Sequence, residues 1–204
     1  MDILVIAATE AEIQSFLQVP EQQRQGMDIL VTGVGMAATA LAMGQRLATT
    51  RYDLLLNVGV AGSFNRTITL GEVVWVVRDT FSELGVEDGD RFIDSGTLGL
   101  APCTFGSDQK HILLRGLRKC SGITVNTVHG NECTIDGVIK RLNPDTESME
   151  GAAVFLAAQH FGIPSIQVRA ISNYVERRNK ANWQLPLAIE NLNRWLAAFA
   201  SSTI

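Results

Sequence analysis

The sequence predicts a three-layer α/β fold, with a β-sheet between layers of helix. Short continuous apolar runs alternate with helical segments along the chain. The first run, Ile3-Leu4-Val5-Ile6-Ala7-Ala8, is apolar at both parities, as a strand buried on both faces must be. The helical segments are Ala-rich and amphipathic. No repeat, low-complexity tract or linker interrupts the alternation, so residues 1–204 read as one domain. A chain of 204 residues is long enough for a full hydrophobic core.

Taken in order, the strand at 3–8 is followed by Thr9-Glu10-Ala11-Glu12. Thr9 and Glu12 have the spacing of a capping box. Glu12 therefore reads either as a helix cap or as a carboxylate held at the carboxyl end of the first strand, where it can act as a base. A polar connection over 19–26 leads to a strand at Met27–Thr32 and to Gly33-Val34-Gly35-Met36. A dinucleotide fingerprint would need a third glycine, but position 38 is Ala38 and no acidic ribose partner stands downstream. These glycines predict a tight strand-to-helix turn, with a helix over Ala37–Thr49. Asp53–Phe64 holds the most buried strand in prospect. It ends in Gly59-Val60-Ala61-Gly62-Ser63, either a glycine turn or a place where small residues admit a ligand against backbone.

Gly71–Val77 reads as a further strand, and 79–110 as a long irregular excursion of the kind that is functional or disordered. A short helix is expected over Leu113–Lys119 and a strand over Ile123–Val128, leading to His129-Gly130-Asn131-Glu132-Cys133. His129 and Cys133 fall short of the four ligands of a closed zinc site, and no metal is expected. Glu147-Ser148-Met149-Glu150 is a polar cluster opening a helix over Glu150–Phe161. Ile163–Ile171 then reads as a buried strand that stops at Ser172-Asn173. Ligands of open α/β sheets sit beyond the carboxyl ends of strands, which presents Arg169, Ser172 and Asn173 to a pocket. The alternative is that Ser172-Asn173 is only a turn. A final amphipathic helix, Ala181–Ala200, turns Leu185, Leu192, Leu196 and Phe199 inward.

Bulk properties exclude several classes. A net charge of -4 provides no basic surface for nucleic acid. Cys103, Cys120 and Cys133 lack CxxC spacing, so neither a disulfide framework nor a zinc site is expected. With no charged leader and no apolar run of spanning length, the sequence predicts a cytoplasmic protein with no membrane partner.

Four pieces together resemble the purine nucleoside phosphorylase/nucleosidase superfamily over essentially the whole chain. They are the first strand with its trailing Glu12, Asn57-Val58-Gly59-Val60-Ala61-Gly62, Ser148-Met149-Glu150-Gly151-Ala152-Ala153, and Val168-Arg169-Ala170-Ile171-Ser172-Asn173. Within it, Glu83-Leu84-Gly85-Val86-Glu87-Asp88-Gly89 and Ile171-Ser172-Asn173-Tyr174-Val175, with Arg177 and Trp183, are similar to the futalosine hydrolases of menaquinone biosynthesis. The resemblance implies a phosphorylase/hydrolase-like fold with a mixed, partly closed central sheet flanked by helices. It also implies a homodimer or higher homo-oligomer with pockets near subunit boundaries, and a small purine nucleoside as the substrate.

The implied chemistry is cleavage of an N-ribosidic bond through an oxocarbenium-like ribosyl cation, with no cofactor. Glu12 would activate water, and Arg169 would hold that water and Glu12 by charge-assisted hydrogen bonds. Glu150 and the Met149 backbone would bind the ribose hydroxyls. Asn173, oriented by Ser172, would hold the purine at N7 and its 6-substituent, and Gly62 and the backbone near Thr134 would line the purine pocket. The implied substrate is futalosine, releasing hypoxanthine; the alternatives are a methylthioadenosine/S-adenosylhomocysteine-type nucleosidase and a phosphorylase. A non-catalytic purine sensor has no need of Glu12 with Arg169. Three departures stand out. Val60 replaces the Ser or Thr of many relatives, and Ser148 replaces a frequent Glu. Cys133 lies where an aromatic is usual, leaving Phe105, Tyr174 or Trp183 to stack on the base.

Overall fold

The structure, a computed structural model, describes residues 1–203. Its strands are β1 (Ile3–Ala7), β2 (Met27–Val31), β3 (Leu54–Ser63), β4 (Val73–Phe81), β5 (Gly85–Asp88), β6 (Arg91–Asp94), β7 (Thr104–Gly106), β8 (Arg118–Thr124), β9 (Thr146–Ser148) and β10 (Ser165–Tyr174). Its helices are α1 (Gln14–Leu17), α2 (Met36–Thr49), α3 (Glu132–Leu142), α4 (Gly151–Phe161) and α5 (Leu185–Thr203).

The expected mixed, partly closed sheet is present. β3 is its hub: parallel to β1 on one side and to β10 on the other, and antiparallel to β9 at its far end. From β10 the sheet continues through antiparallel β4 and parallel β8 to β9, which returns to β3. Five strands thus close a ring, and β1 and β2 extend from it as an open wing. The layers follow from side-chain alternation. Leu4, Ile6 and Leu55 face Met43 and Leu47 of α2 and Val154 and Ala158 of α4. Ile3, Val5, Leu56 and Val58 face Phe16 of α1 and Leu192, Leu196 and Phe199 of α5.

Several sequence expectations need correction. The segment 79–110 is not irregular: β4 runs on to Phe81, β5 and β6 form a hairpin across Gly89-Asp90, and β7 joins β4. The hairpin signal was present: Asp88 pairs with Arg91 across the two-residue loop Gly89-Asp90, a Gly-Asp pair of the kind that turns hairpins, and Gly89 takes φ 61°. Arg118–Lys119 belong to a strand rather than a helix, and the only helical turn there is Ile112–Leu114. Helix α3 was not anticipated, because only Ile135 and Val138 of its residues are buried and Gly137 lowers the helix propensity of the segment. Its start is fixed by Asn131, whose Oδ1 accepts from Cys133 N at 2.9 Å. Glu147-Ser148 lie in β9 rather than in a helix. β10 continues past Ile171 to Tyr174, so Ser172-Asn173 is not a terminating turn.

Candidate active site

The site forms where β3 changes neighbours. β1 pairs with Leu54–Asn57 and β9 with Gly62 and Ser63. Between them that edge of β3 carries no strand. The Val60 N–H on this stretch is instead taken by Glu12, whose Oε1 accepts it at 3.0 Å. Glu12 Oε2 accepts from Thr9 N at 3.0 Å and Thr9 Oγ1 at 3.1 Å. Both readings of Glu12 therefore hold at once: the capping contact with Thr9 aims the carboxylate at the open edge.

Arg169 is the register partner of Gly59 on β3, and its side chain is 2% exposed. A Cβ at Gly59 would stand 2.8 Å from Glu12 Oε1 and 2.9 Å from Arg169 Nη1, so glycine here is what lets the two charged groups approach across the strand. The expected direct bond between them is absent; the Glu12 oxygens are committed to Val60 and Thr9. Arg169 Nε and Nη2 are buried without a hydrogen-bonding partner among the described residues. Burial pulls the guanidinium pKa down, and the charges of Glu150, Glu12 and Asp79 oppose that shift. Buried donors of this kind beside a carboxylate suit a water or another oxygen acceptor.

This geometry makes Gly59→Ala informative. The atoms in the way are the ends of flexible side chains, so the fold is expected to survive while Glu12 and Arg169 are pushed off position. Displacements near 1 Å can cost about 10²-fold in rate. Turnover is expected to fall by about that factor with near-normal thermal unfolding, measured by steady-state kinetics and calorimetry.

Glu150 precedes α4 and is held from two directions. Its Oε1 accepts from Gly35 N at 2.9 Å and its Oε2 from Met149 N at 3.3 Å. Gly35 sits at φ 98°, a conformation that side-chain-bearing residues rarely adopt. The Gly33-Val34-Gly35 turn, expected from sequence only as a tight turn, is thus a clamp on this carboxylate. The start of α4 is anchored from below. Thr124 Oγ1 accepts from Ala152 N at 2.7 Å and donates to Asp79 Oδ1 at 2.8 Å, while Gln167 Nε2 donates to Asp79 Oδ2 at 2.9 Å. A Cβ at Gly151 would run into Asp79 and Gln167. Burial pushes the Asp79 carboxyl pKa up.

On β10, pairing with β3 shifts register between Ile171 and Asn173. Ser172 is the extra residue of this bulge, which re-aims the side chains that follow. Ser172 Oγ lies 2.8 Å from Asn173 Oδ1, to which it donates, and Asn173 Nδ2 donates to Tyr174 O at 3.0 Å. The amide is therefore fixed with one N–H still free.

Glu12, Gly62, Met149, Glu150, Ser172 and Asn173 line one cavity of about 330 Å³. Arg169, expected at the pocket, is buried and does not line it; it stands beside Glu12 across Gly59. A larger hollow of about 670 Å³ between α1 and α5 contains none of these residues. Thr134 is brought elsewhere. The Asn131 cap draws it into the first turn of α3, where it is exposed and borders the groove behind the β5–β6 hairpin. Of the three aromatic candidates, Trp183 lines the cavity. Phe105 is buried against Phe81, and the Tyr174 hydroxyl is tied to Ile68 O at 3.1 Å.

One pair escaped the sequence reading. Glu147, 4% exposed, lines the cavity and accepts from His129 N at 3.0 Å, with His129 Nδ1 2.6 Å from its other oxygen. That bond raises the His129 pKa above its ordinary value. The signal was in the sequence only as two polar residues 18 positions apart. Among the described residues no group of three or more His, Cys, Asp or Glu is placed to hold a metal.

The family model for the phosphorylase superfamily matches residues 2–203. The chain belongs to the phosphorylase superfamily. Within that superfamily it is 31% identical over 185 residues to a futalosine hydrolase of Acidothermus cellulolyticus, covering 86% of this chain and 75% of that one. It is 28% identical over 193 residues to a futalosine hydrolase of Thermus thermophilus, covering 91% and 86%. Among solved structures, the methylthioadenosine/S-adenosylhomocysteine nucleosidase of Streptococcus pneumoniae bound to 8-aminoadenine superposes with a TM-score of 0.82 at 18% identity, covering 98% of this chain and 99% of that one. The corresponding Helicobacter pylori nucleosidase with butyl-thio-DADMe-Immucillin-A also gives 0.82, at 14% identity and coverage of 100% and 99%. At such identities these two show a shared fold.

Proposed function

We propose that the protein is a nucleosidase that hydrolyses the N-ribosidic bond of futalosine, releasing hypoxanthine and dehypoxanthine futalosine. The observation that carries this reading is the convergence of Glu12, Glu150 and the bonded Ser172–Asn173 pair on one cavity. Its likeness to futalosine hydrolases over most of the chain supports the substrate. Glu12 takes a proton from water as the water oxygen bonds to C1′ and the C1′–N9 bond breaks. Oε1, which accepts only from Val60 N, keeps a lone pair for that proton, whereas Oε2 is occupied twice by Thr9. The bond electrons leave with the purine. Glu150 accepts from the ribose 2′ and 3′ hydroxyls, and its charge favours the positive ribosyl centre. Arg169 supplies buried donors beside Glu12 that orient the water. The free N–H of Asn173 donates to O6 or N7 of the departing base, where an aspartate, acceptor-only when ionised, would face the O6 lone pairs.

The reading extends to one nucleosidase domain over 1–204, acting in the cytoplasm within menaquinone biosynthesis. No helix among the described residues is long and apolar enough to cross a membrane. Val34 and Val128 border the cavity while 57% and 46% exposed, which supports a homo-oligomer that covers its mouth. The test is a comparison of kcat/KM for futalosine, its 6-amino analogue and methylthioadenosine. Futalosine is expected to lead by about 10–100-fold, the size of a mismatch against buried polar groups, and Asn173→Asp is expected to narrow the gap to the 6-amino analogue. Preference for methylthioadenosine would overturn the assignment.

A further inference from the structure

The helical segment that carries Glu12 is broken beside it. A 3-10 turn covers Glu10–Ile13 and α1 begins only at Gln14; at the junction Ile13 leaves helical geometry, with φ -119° and ψ 18°. In an uninterrupted α-helix, Glu12 O would accept from Phe16 N, four residues on. Here one side chain from α5 takes both groups. Asn193 Oδ1 accepts from Phe16 N at 2.9 Å, and Asn193 Nδ2 donates to Glu12 O at 2.8 Å. The amide stands in the ladder in place of the backbone bond, and such an insertion kinks a helix. Its second N–H goes to Ile189 O at 2.7 Å, so a single orientation of the amide satisfies all three neighbours. Asn193 is 4% exposed.

We propose that Asn193 is a positioning residue for Glu12, holding the backbone of the base in a kink that aims its carboxylate at the open edge of β3. This rests on the nucleosidase reading above and adds the group that sets where the base stands. The segment does not make the kink by itself, since residues 10–17 contain neither Gly nor Pro. Leu185, Ile189 and Asn193 fall on one face of α5 at i, i+4 spacing. The first two line the cavity, so the same helix face forms part of its wall and grips the base. Removing the amide strands no buried backbone group. Glu12 O and Phe16 N are then free to pair with each other as in a regular helix, and the fold is expected to survive while Glu12 is turned off position.

The test is a double-mutant cycle of Asn193→Ala with Glu12→Gln, following release of base from futalosine in single-turnover and steady-state kinetics, with calorimetry for the fold. Asn193→Ala alone is expected to lower kcat by about 10²-fold, the scale of an ångström-sized misplacement, with KM little changed. In the Glu12→Gln background no base is left to aim, and the same substitution is expected to cost almost nothing. A side chain that only packs α5 against α1 would cost the same factor in both backgrounds. That result overturns the proposal, as does a wild-type kcat in Asn193→Ala. Should Asn193→Ala fail to fold, Asn193→Leu fills the space with an apolar side chain of similar size, and the same comparison decides. Release by the wild type together with equal costs defeats only the Asn193 assignment, whereas no release by the wild type defeats the nucleosidase reading.

Discussion

Glu12→Gln is expected to lower turnover by roughly 10²–10⁴, the range for loss of a general base. The amide keeps the shape of the carboxylate but cannot take the proton from water. It also cannot satisfy both of its neighbours. Val60 N and Thr9 N each donate to a different Glu12 oxygen, so one of them must face the new NH₂ group. A donor left without an acceptor costs on the order of 1 kcal/mol, or about 2–4 °C in Tm for a chain of this size. Kinetics measured well below the transition separate the two effects. A variant with near-normal turnover and lowered Tm would leave Glu12 as a helix cap only.

Glu150→Gln is the second large effect. The amide oxygen can still accept from Gly35 N, so the clamp on the start of α4 survives in part. What disappears is the negative charge beside the ribosyl centre and the strength of its bonds to the hydroxyls. Loss of one preorganised electrostatic group typically costs about 10²–10³ in kcat. A 2′-deoxy nucleoside provides the control. It should be a poor substrate for wild type, and its further loss on Glu150→Gln should be smaller than that of the ribonucleoside, since part of the interaction is already gone. Equal losses on both would place the Glu150 effect away from the ribose.

Much of this was legible because the governing physics is local. The two-sided apolar run of β1, the glycine turn before α2 and the Thr9–Glu12 spacing each determine their own geometry. What could not be read depends on residues distant in sequence. The open edge of β3 exists because β1 leaves at Asn57 and β9 arrives at Gly62, and three-residue β9 carries no periodicity of its own. The bulge at Ser172 made a strand look like a turn, since the polar residues that a bulge exposes are those that a turn also prefers. Thr134 was misplaced for a related reason: helix α3 buries too few residues to announce itself, and its cap pulls Thr134 away from the cavity. Glu147 stands in a polar cluster in sequence, but its pairing with His129 and its place across Gly62 from Asn173 arise only in the folded sheet.

The central claim is that Glu12 activates water, so that hydrolysis rather than phosphorolysis cleaves the bond. The measurement that tests it most directly is product analysis with futalosine as phosphate is raised from zero. Release of hypoxanthine at a rate independent of phosphate, with a sugar product bearing a free hydroxyl at C1′, is the predicted result. A rate rising in proportion to phosphate, with a sugar 1-phosphate as the product, would contradict it.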